Sequence, residues 1–127
     1  MIRTLLLAAA LTLAARTAGA QTAAECRTAM EKSSPQTLMN ICIDRDAGEA
    51  QDRLDALLAR LRAGLDPARW KALLQVQRRW VDYQAEHCEF EAARYQGGSV
   101  QPFVRALCFI QVTEDRIRQL KGSVAQV

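Results

Sequence analysis

The chain is poor in the groups from which catalytic and metal sites are usually built. It has one histidine among 127 residues, His87, and that histidine adjoins Cys88. Neighbouring residues on a helix point about 100° apart, so the imidazole is badly placed to take that thiol's proton, and a disulfide would remove the nucleophile altogether. The four cysteines include no C-x-x-C pair, and their long spacings do not suit a zinc site. Glu86, His87, Glu89 and Glu91 read as a hydrated helix face rather than a cation site. Gly97-Gly98-Ser99 lacks the preceding strand and the lysine of a phosphate-binding loop. Glu25, Glu31, Asp44, Asp46, Asp82 and Glu86 offer carboxylates, but nothing places two across a cleft, and Glu49–Arg53 and Glu114–Arg118 have the i,i+4 spacing of surface ion pairs. The expectation is a protein that is not an enzyme and holds no cofactor and no metal.

Charge of one sign is also scarce. The formal net charge of +3 includes Arg3 and Arg16, which fall within a segment that reads as a secretory signal over residues 1–20. Met1-Ile2-Arg3 is a short positive start, Thr4 to Ala15 is apolar, and Ala18-Gly19-Ala20 gives the small-x-small pattern of a cleavage site before Gln21. That apolar run is shorter than the ~20 residues a membrane-spanning helix needs, and no cysteine follows the cleavage site to carry a lipid. Residues 21–127 then form one mature domain with fifteen basic and fourteen acidic residues. A near-neutral domain whose longest basic run is Arg78-Arg79 is a poor nucleic-acid binder, because such binding neutralises many phosphates. A soluble, periplasmic or secreted product without a membrane anchor is expected. The residues do not indicate its oligomeric state.

Strand-type alternation is missing, and all three prolines stand where a helix can begin. Ser34-Pro35 reads as a cap followed by a first helical residue. Leu38, Ile41, Cys42, Leu54, Leu57, Leu58, Leu61 and Leu65 then recur at mostly three- and four-residue steps. Gly48 suggests a bend in this helix and Gly64 its stop. Asp66-Pro67 opens a second helix with Trp70, Leu73, Leu74, Gln77, Trp80, Val81, Gln84 and Cys88 on one broad face. Trp70 and Trp80 read as core residues whose indole N–H groups are met by polar neighbours. Gly97-Gly98 breaks the second helix. Ser99 can cap a third, with Pro102 in its first turn, Phe103, Leu107, Cys108, Ile110, Ile117 and Leu120 on its apolar side, and Lys121-Gly122 at its end. The fold expected is all-α: a three-helix antiparallel bundle with an irregular or partly helical N-terminal arm around Cys26, stapled by two disulfides.

An even cysteine count in an exported chain indicates disulfides. Four cysteines allow three pairings, and the helix plan discriminates among them. Cys88 and Cys108 lie equally far from Gly98 in sequence, so they fall at similar heights on an antiparallel hairpin. This predicts Cys88–Cys108, leaving Cys26–Cys42 to pin the N-terminal arm to the first helix. Each bridge closes a short loop, for which chain entropy gives about 3 kcal/mol.

Several residues carry a resemblance to a known family. The segment Gln36-Thr37-Leu38-Met39-Asn40-Ile41-Cys42, the run Gln77-Arg78-Arg79-Trp80-Val81-Asp82-Tyr83 leading to Cys88, and then Gly97-Gly98-Ser99, Cys108, Thr113, Arg116 and Leu120 resemble the LprI-type lysozyme-inhibitor N-terminal domain family. These are small exported helical proteins named for a member that inhibits lysozyme. The likeness covers Cys26 to Leu120, and Gln77, Trp80, Tyr83, Gly97, Gly98 and Arg116 are its structural motif. The chain departs from the family pattern at Gln84-Ala85, where an Arg-Asp pair is usual, and at Leu54-Asp55 and Leu57, where Leu-Asn and then a tyrosine are usual.

The resemblance implies a partner, lysozyme or another muramidase. An inhibitor of such an enzyme must occlude a long cleft that works with two carboxylates. The turn Arg94-Tyr95-Gln96-Gly97-Gly98-Ser99 suits that task, with Arg94, Tyr95, Gln96 and Ser99 as the contact residues. The alternative is an envelope module that binds another exported protein, or peptidoglycan, without inhibiting anything. An exposed apolar groove beside Trp70 or Trp80 would favour that alternative, and a polar projecting loop would favour the inhibitor.

Overall fold

Backbone N–H groups at the start of a helix need acceptors, and this chain supplies them in several ways. The computed structural model describes residues 22–32 and 35–124. In it α1 spans Ala23–Glu31, α2 Gln36–Gly64, α3 Pro67–Ala92 and α4 Gln101–Val124, with a 3-10 turn at Ala93–Tyr95. Among the described residues there is no strand. The expected secretory segment over residues 1–20 and the expected Ser34 cap lie outside them.

The first correction concerns the N-terminal arm, which is a helix, making four and not three. Thr22 and Glu25 form a reciprocal capping box: the Glu25 N–H donates to Thr22 Oγ1 at 3.2 Å, and the Thr22 N–H donates to Glu25 Oε2 at 2.7 Å. These bonds from Thr22, the backbone N–H first, hold the Glu25 carboxyl below its ordinary pKa. The signal Thr22-x-x-Glu25 stands in the sequence, but the small polar composition around it obscured it. α2 starts one residue later than expected. Pro35 is its N-cap, without a side-chain capping bond, and α2 runs unbroken through Gly48 to Gly64. At α3, Asp66 accepts from the N–H groups of Ala68 and Arg69 at 2.9 and 3.0 Å, with Pro67 at the first helical position. α4 begins two residues after Ser99, so Ser99 is not its cap.

The three long helices run up, down and up. The Asn40 side chain bonds Ser99 near the start of α4, Arg53 pairs with Glu114 midway, and Leu61 joins the core cluster of Leu120 near its end, so α2 and α4 are parallel. α3 is antiparallel to α4, which packs along both of the others. The Arg53–Glu114 pair replaces the expected Glu49–Arg53 and Glu114–Arg118 pairs. Glu49 is instead beside Arg45 at 3.5 Å and Arg118 binds Asp115. Closely packed parallel helices bring the 53 and 114 positions within reach, which an intrahelical pair does not require.

What is buried differs between the two ends. Away from the α3–α4 turn, Leu54, Leu57, Leu61, Ile117 and Leu120 form an apolar cluster, with Trp70, Leu73 and Trp80 packed on it. Toward that turn the buried residues are small: Cys26, Ala29, Cys42, Ala50, Cys88, Ala92 and Cys108, beside Ile43. Disulfides join Cys26 to Cys42 and Cys88 to Cys108, with Cα atoms 5.3 and 5.4 Å apart. These are the pairs the helix plan predicts. The apolar stripes shift at their edges. Ile41 is 46% exposed while Ile43 is buried, and Val81 and Leu107 are also exposed, because each lies beside the buried seam rather than on it.

Gly48 sits on the exposed side of α2, and a Cβ added there meets nothing within 4 Å. Gly48→Ala is expected to stabilise the protein by about 1 kcal/mol through restored helix propensity, read as a raised urea midpoint at unchanged slope.

Candidate functional site

A turn between two helices is held by the hydrogen bonds its own backbone makes, and the α3–α4 turn makes several. The Gln96 N–H donates to the Ala93 carbonyl at 3.2 Å, and the Gly98 N–H to the Tyr95 carbonyl at 2.9 Å. The Gly97 N–H is taken by the Gln101 side chain at 3.2 Å. Two glycines are required here. Gly97 has φ +78°, a conformation that L side chains rarely adopt, and a Cβ at Gly98 would stand 3.1 Å from the Tyr95 carbonyl oxygen. Asn40 on α2 reaches across and donates to the Ser99 carbonyl at 2.9 Å.

Below the turn two links join α3 to α4. One is the Cys88–Cys108 disulfide. The other is a two-pronged pair in which Arg105 donates to both oxygens of Glu89 at 2.7 and 2.9 Å. The donation from Arg105 holds the Glu89 carboxyl below its ordinary range, and the same contact raises the Arg105 pKa. The outcome is a fastened tip whose side chains face water. Arg94, Tyr95, Gln96 and Ser99 are all exposed, and Arg94 has only a long contact to Glu91 at 3.8 Å.

The motif residues divide into two groups. Gln77, Trp80 and Arg116 meet inside the bundle. Arg116, 8% exposed, donates through Nε to Gln77 Oε1 at 3.0 Å and through Nη1 to Gln119 at 3.1 Å, and its guanidinium lies 5.9 Å from the centre of the Trp80 ring. Its Nη2 is buried without a hydrogen-bond partner, and burial lowers its pKa. Two turns along α3 from Gln77, buried Gln84 donates to Thr113 Oγ1 at 2.7 Å. Gln77 and Gln84 thus bond Arg116 and Thr113 and not the indole N–H groups. Tyr83 stands apart from this seam: it is exposed and stacked on His87, ring centres 5.3 Å apart. Of the acidic cluster, Glu89 is held by Arg105 and Glu91 approaches Arg94. Among the described residues no three His, Cys, Asp or Glu side chains are grouped to hold a metal ion.

Sequence reasoning missed Asn40, Glu89, Gln101 and Arg105 as the supports of the tip. Glu89 and Arg105 were nearly within its reach, since the hairpin arithmetic that sets Cys88 opposite Cys108 sets Glu89 opposite Leu107, two residues from Arg105. Asn40 comes from a distant helix and leaves no local signal.

The described residues form an all-helical, disulfide-stapled bundle with an exposed polar turn at one end. The chain matches the family described as Lysozyme inhibitor LprI over residues 26–120, and it belongs to that family. It is also 29% identical, over 110 aligned positions covering 76% of each chain, to uncharacterized protein R02472 of Rhizobium meliloti (strain 1021). No solved structure matches it. No helix among the described residues is long and apolar enough to cross a membrane.

Two outcomes are expected. The depressed Glu89 pKa means that its pair with Arg105 contributes stability above the ordinary value of 4.5, and that this is lost as pH falls through the folded-state value. Urea denaturation of parent and Glu89→Gln proteins should show a stability gap at neutral pH that closes in acid. In the buried seam, Gln77→Met strands a second nitrogen of Arg116 and should cost about 1–3 kcal/mol. The double variant Gln77→Met/Arg116→Met should recover much of that loss, measured by the same denaturation.

Proposed function

We propose that this protein is exported through the signal segment at residues 1–20 and acts as a non-enzymatic inhibitor of a lysozyme-like muramidase, entering the enzyme's cleft with the Arg94–Ser99 tip. The fastened tip is the observation that carries this reading. The N–H groups of Gln96, Gly97 and Gly98 are bonded within the turn, and three links to the bundle hold it: Cys88–Cys108, Glu89–Arg105 and Asn40–Ser99. A loop ordered in advance loses less conformational freedom on binding. The Arg94 guanidinium is exposed and loosely held, so it is free to reach the cleft's carboxylates, while Tyr95 supplies a flat apolar surface and Gln96 hydrogen-bonding groups. Both tryptophans pack against the apolar cluster, which favours the inhibitor over the envelope module.

The test is inhibition of a panel of lysozymes by oxidised protein, by reduced and alkylated protein, and by an Arg94→Ala/Tyr95→Ala variant. The oxidised parent should inhibit, the reduced form should lose inhibition, and the variant should be weaker by about 10- to 100-fold. A variant as potent as its parent would eliminate the tip. Binding without inhibition would favour the envelope module, and the absence of both would eliminate the muramidase reading.

A further inference from the structure

α3 carries an outward seam that the other described residues do not cover. Val76, Tyr83 and Phe90 are 52, 54 and 69% exposed. They stand seven residues apart, so all three fall within about 40° around the helix, the spacing by which helices pair side by side. Leu107 of α4, exposed in the shallow groove beside Tyr83 and His87, widens the strip.

The charge order along α3 is as pronounced. Its first half, Pro67 to Trp80, carries Arg69, Lys71, Arg78 and Arg79 and no acidic residue. Its second half, Val81 to Ala92, carries Asp82, Glu86, Glu89 and Glu91 and no basic one. This runs against the helix dipole, which favours acidic groups at the N-terminal end and basic groups at the C-terminal end. Nor does the bundle neutralise it. Glu89 and Glu91 have contacts to Arg105 and Arg94, but among the described residues Arg69, Lys71, Arg78, Arg79, Asp82 and Glu86 have no ion-pair partner. The charge reverses within three residues of Tyr83, at the middle of the apolar seam.

We infer that α3 is a self-complementary interface, through which two copies of this chain pair antiparallel about a two-fold axis near Tyr83. In that arrangement each basic half lies along the acidic half of the other copy. Val76 faces Phe90, Tyr83 meets its equivalent, and Arg79 comes within about a turn of Glu86 across the axis. Every contact occurs twice, as two-fold symmetry requires. A 26-residue helix is about 39 Å long at ~1.5 Å per residue, so the contact belongs at the low end of specific interfaces, near ~1,200 Å². The dimer is therefore weak and salt-sensitive. It is independent of the muramidase reading and places the two tips at opposite ends.

Sedimentation of the oxidised protein over a wide concentration range, at low and high salt, tests this. A monomer–dimer equilibrium that weakens with salt is expected. Arg79→Glu and Glu86→Arg should each weaken the dimer by about tenfold or more, since each sets like charges opposite one another twice. The double variant Arg79→Glu/Glu86→Arg should restore it, and a mixture of the two single variants should form a heterodimer. All these positions are exposed, and circular dichroism with thiol titration verifies fold and disulfides in each variant. A protein that stays monomeric throughout, or a dimer indifferent to the reversals, would overturn the inference. So would reversals that alter lysozyme inhibition while the parent sediments as a monomer, since the face would then belong to another partner.

Discussion

The Cys88–Cys108 bridge is the constraint on which the α3–α4 end of this molecule depends. Around it the buried residues are alanines and cysteines, side chains too small to bury much apolar area, and burial is what ordinarily holds two helices together. The leucine cluster at the opposite end needs no covalent help. The tip therefore stands on the part of the bundle where apolar packing is weakest, and the disulfide takes its place. The Glu89–Arg105 contact depends in turn on that bridge, because it requires α3 and α4 at a fixed height relative to one another, while Asn40–Ser99 ties the turn to α2.

Between the two ends lies a polar seam that a purely apolar core would not contain. Arg116 is buried beside Gln77 and Trp80 with no carboxylate near enough to pair with it, and Gln84 is spent on Thr113. An arrangement of this kind adds little to net stability, since burying a guanidinium costs nearly as much as its contacts return. Its contribution is to alignment. An apolar stripe on α4 could slide by a turn along α3 with modest loss, whereas a slide would leave Arg116, Gln77, Gln84 and Thr113 all unmatched. The departure from the family pattern at Gln84 falls within this seam, and the chain fills the position with a side chain that still finds a partner.

Helix order, the Asp66-Pro67 start, the Gly97-Gly98 break and both cysteine pairs were legible in the sequence, because each follows from local chemistry or from counting along a hairpin. α1 was missed although Thr22-x-x-Glu25 announces it, because a nine-residue helix of small residues has little apolar periodicity of its own and relies on Cys26 and Ala29 packing against α2. Ile41 and Val81 were misplaced because a stripe read from spacing alone has no sharp edge, and the neighbouring helix decides where burial stops. The tip residues could be nominated from sequence. What holds them could not, since Asn40 lies some sixty residues from Ser99 in the chain. The link between Gln77 and Arg116 was equally invisible, because two motif residues on different helices do not declare that they meet.

The two bridges also share a property of order. Each joins a cysteine to the next one along the chain, first to second and third to fourth, so neither loop encloses or crosses the other. A chain delivered amino end first into an oxidising compartment would present Cys42 while Cys26 has no competing partner, with Cys88 following 46 residues later. The correct pairs then form by proximity in time, without the thiol exchange that interleaved cysteines need. Bridges adjacent in chain order can each close without passing through a crossed or nested intermediate.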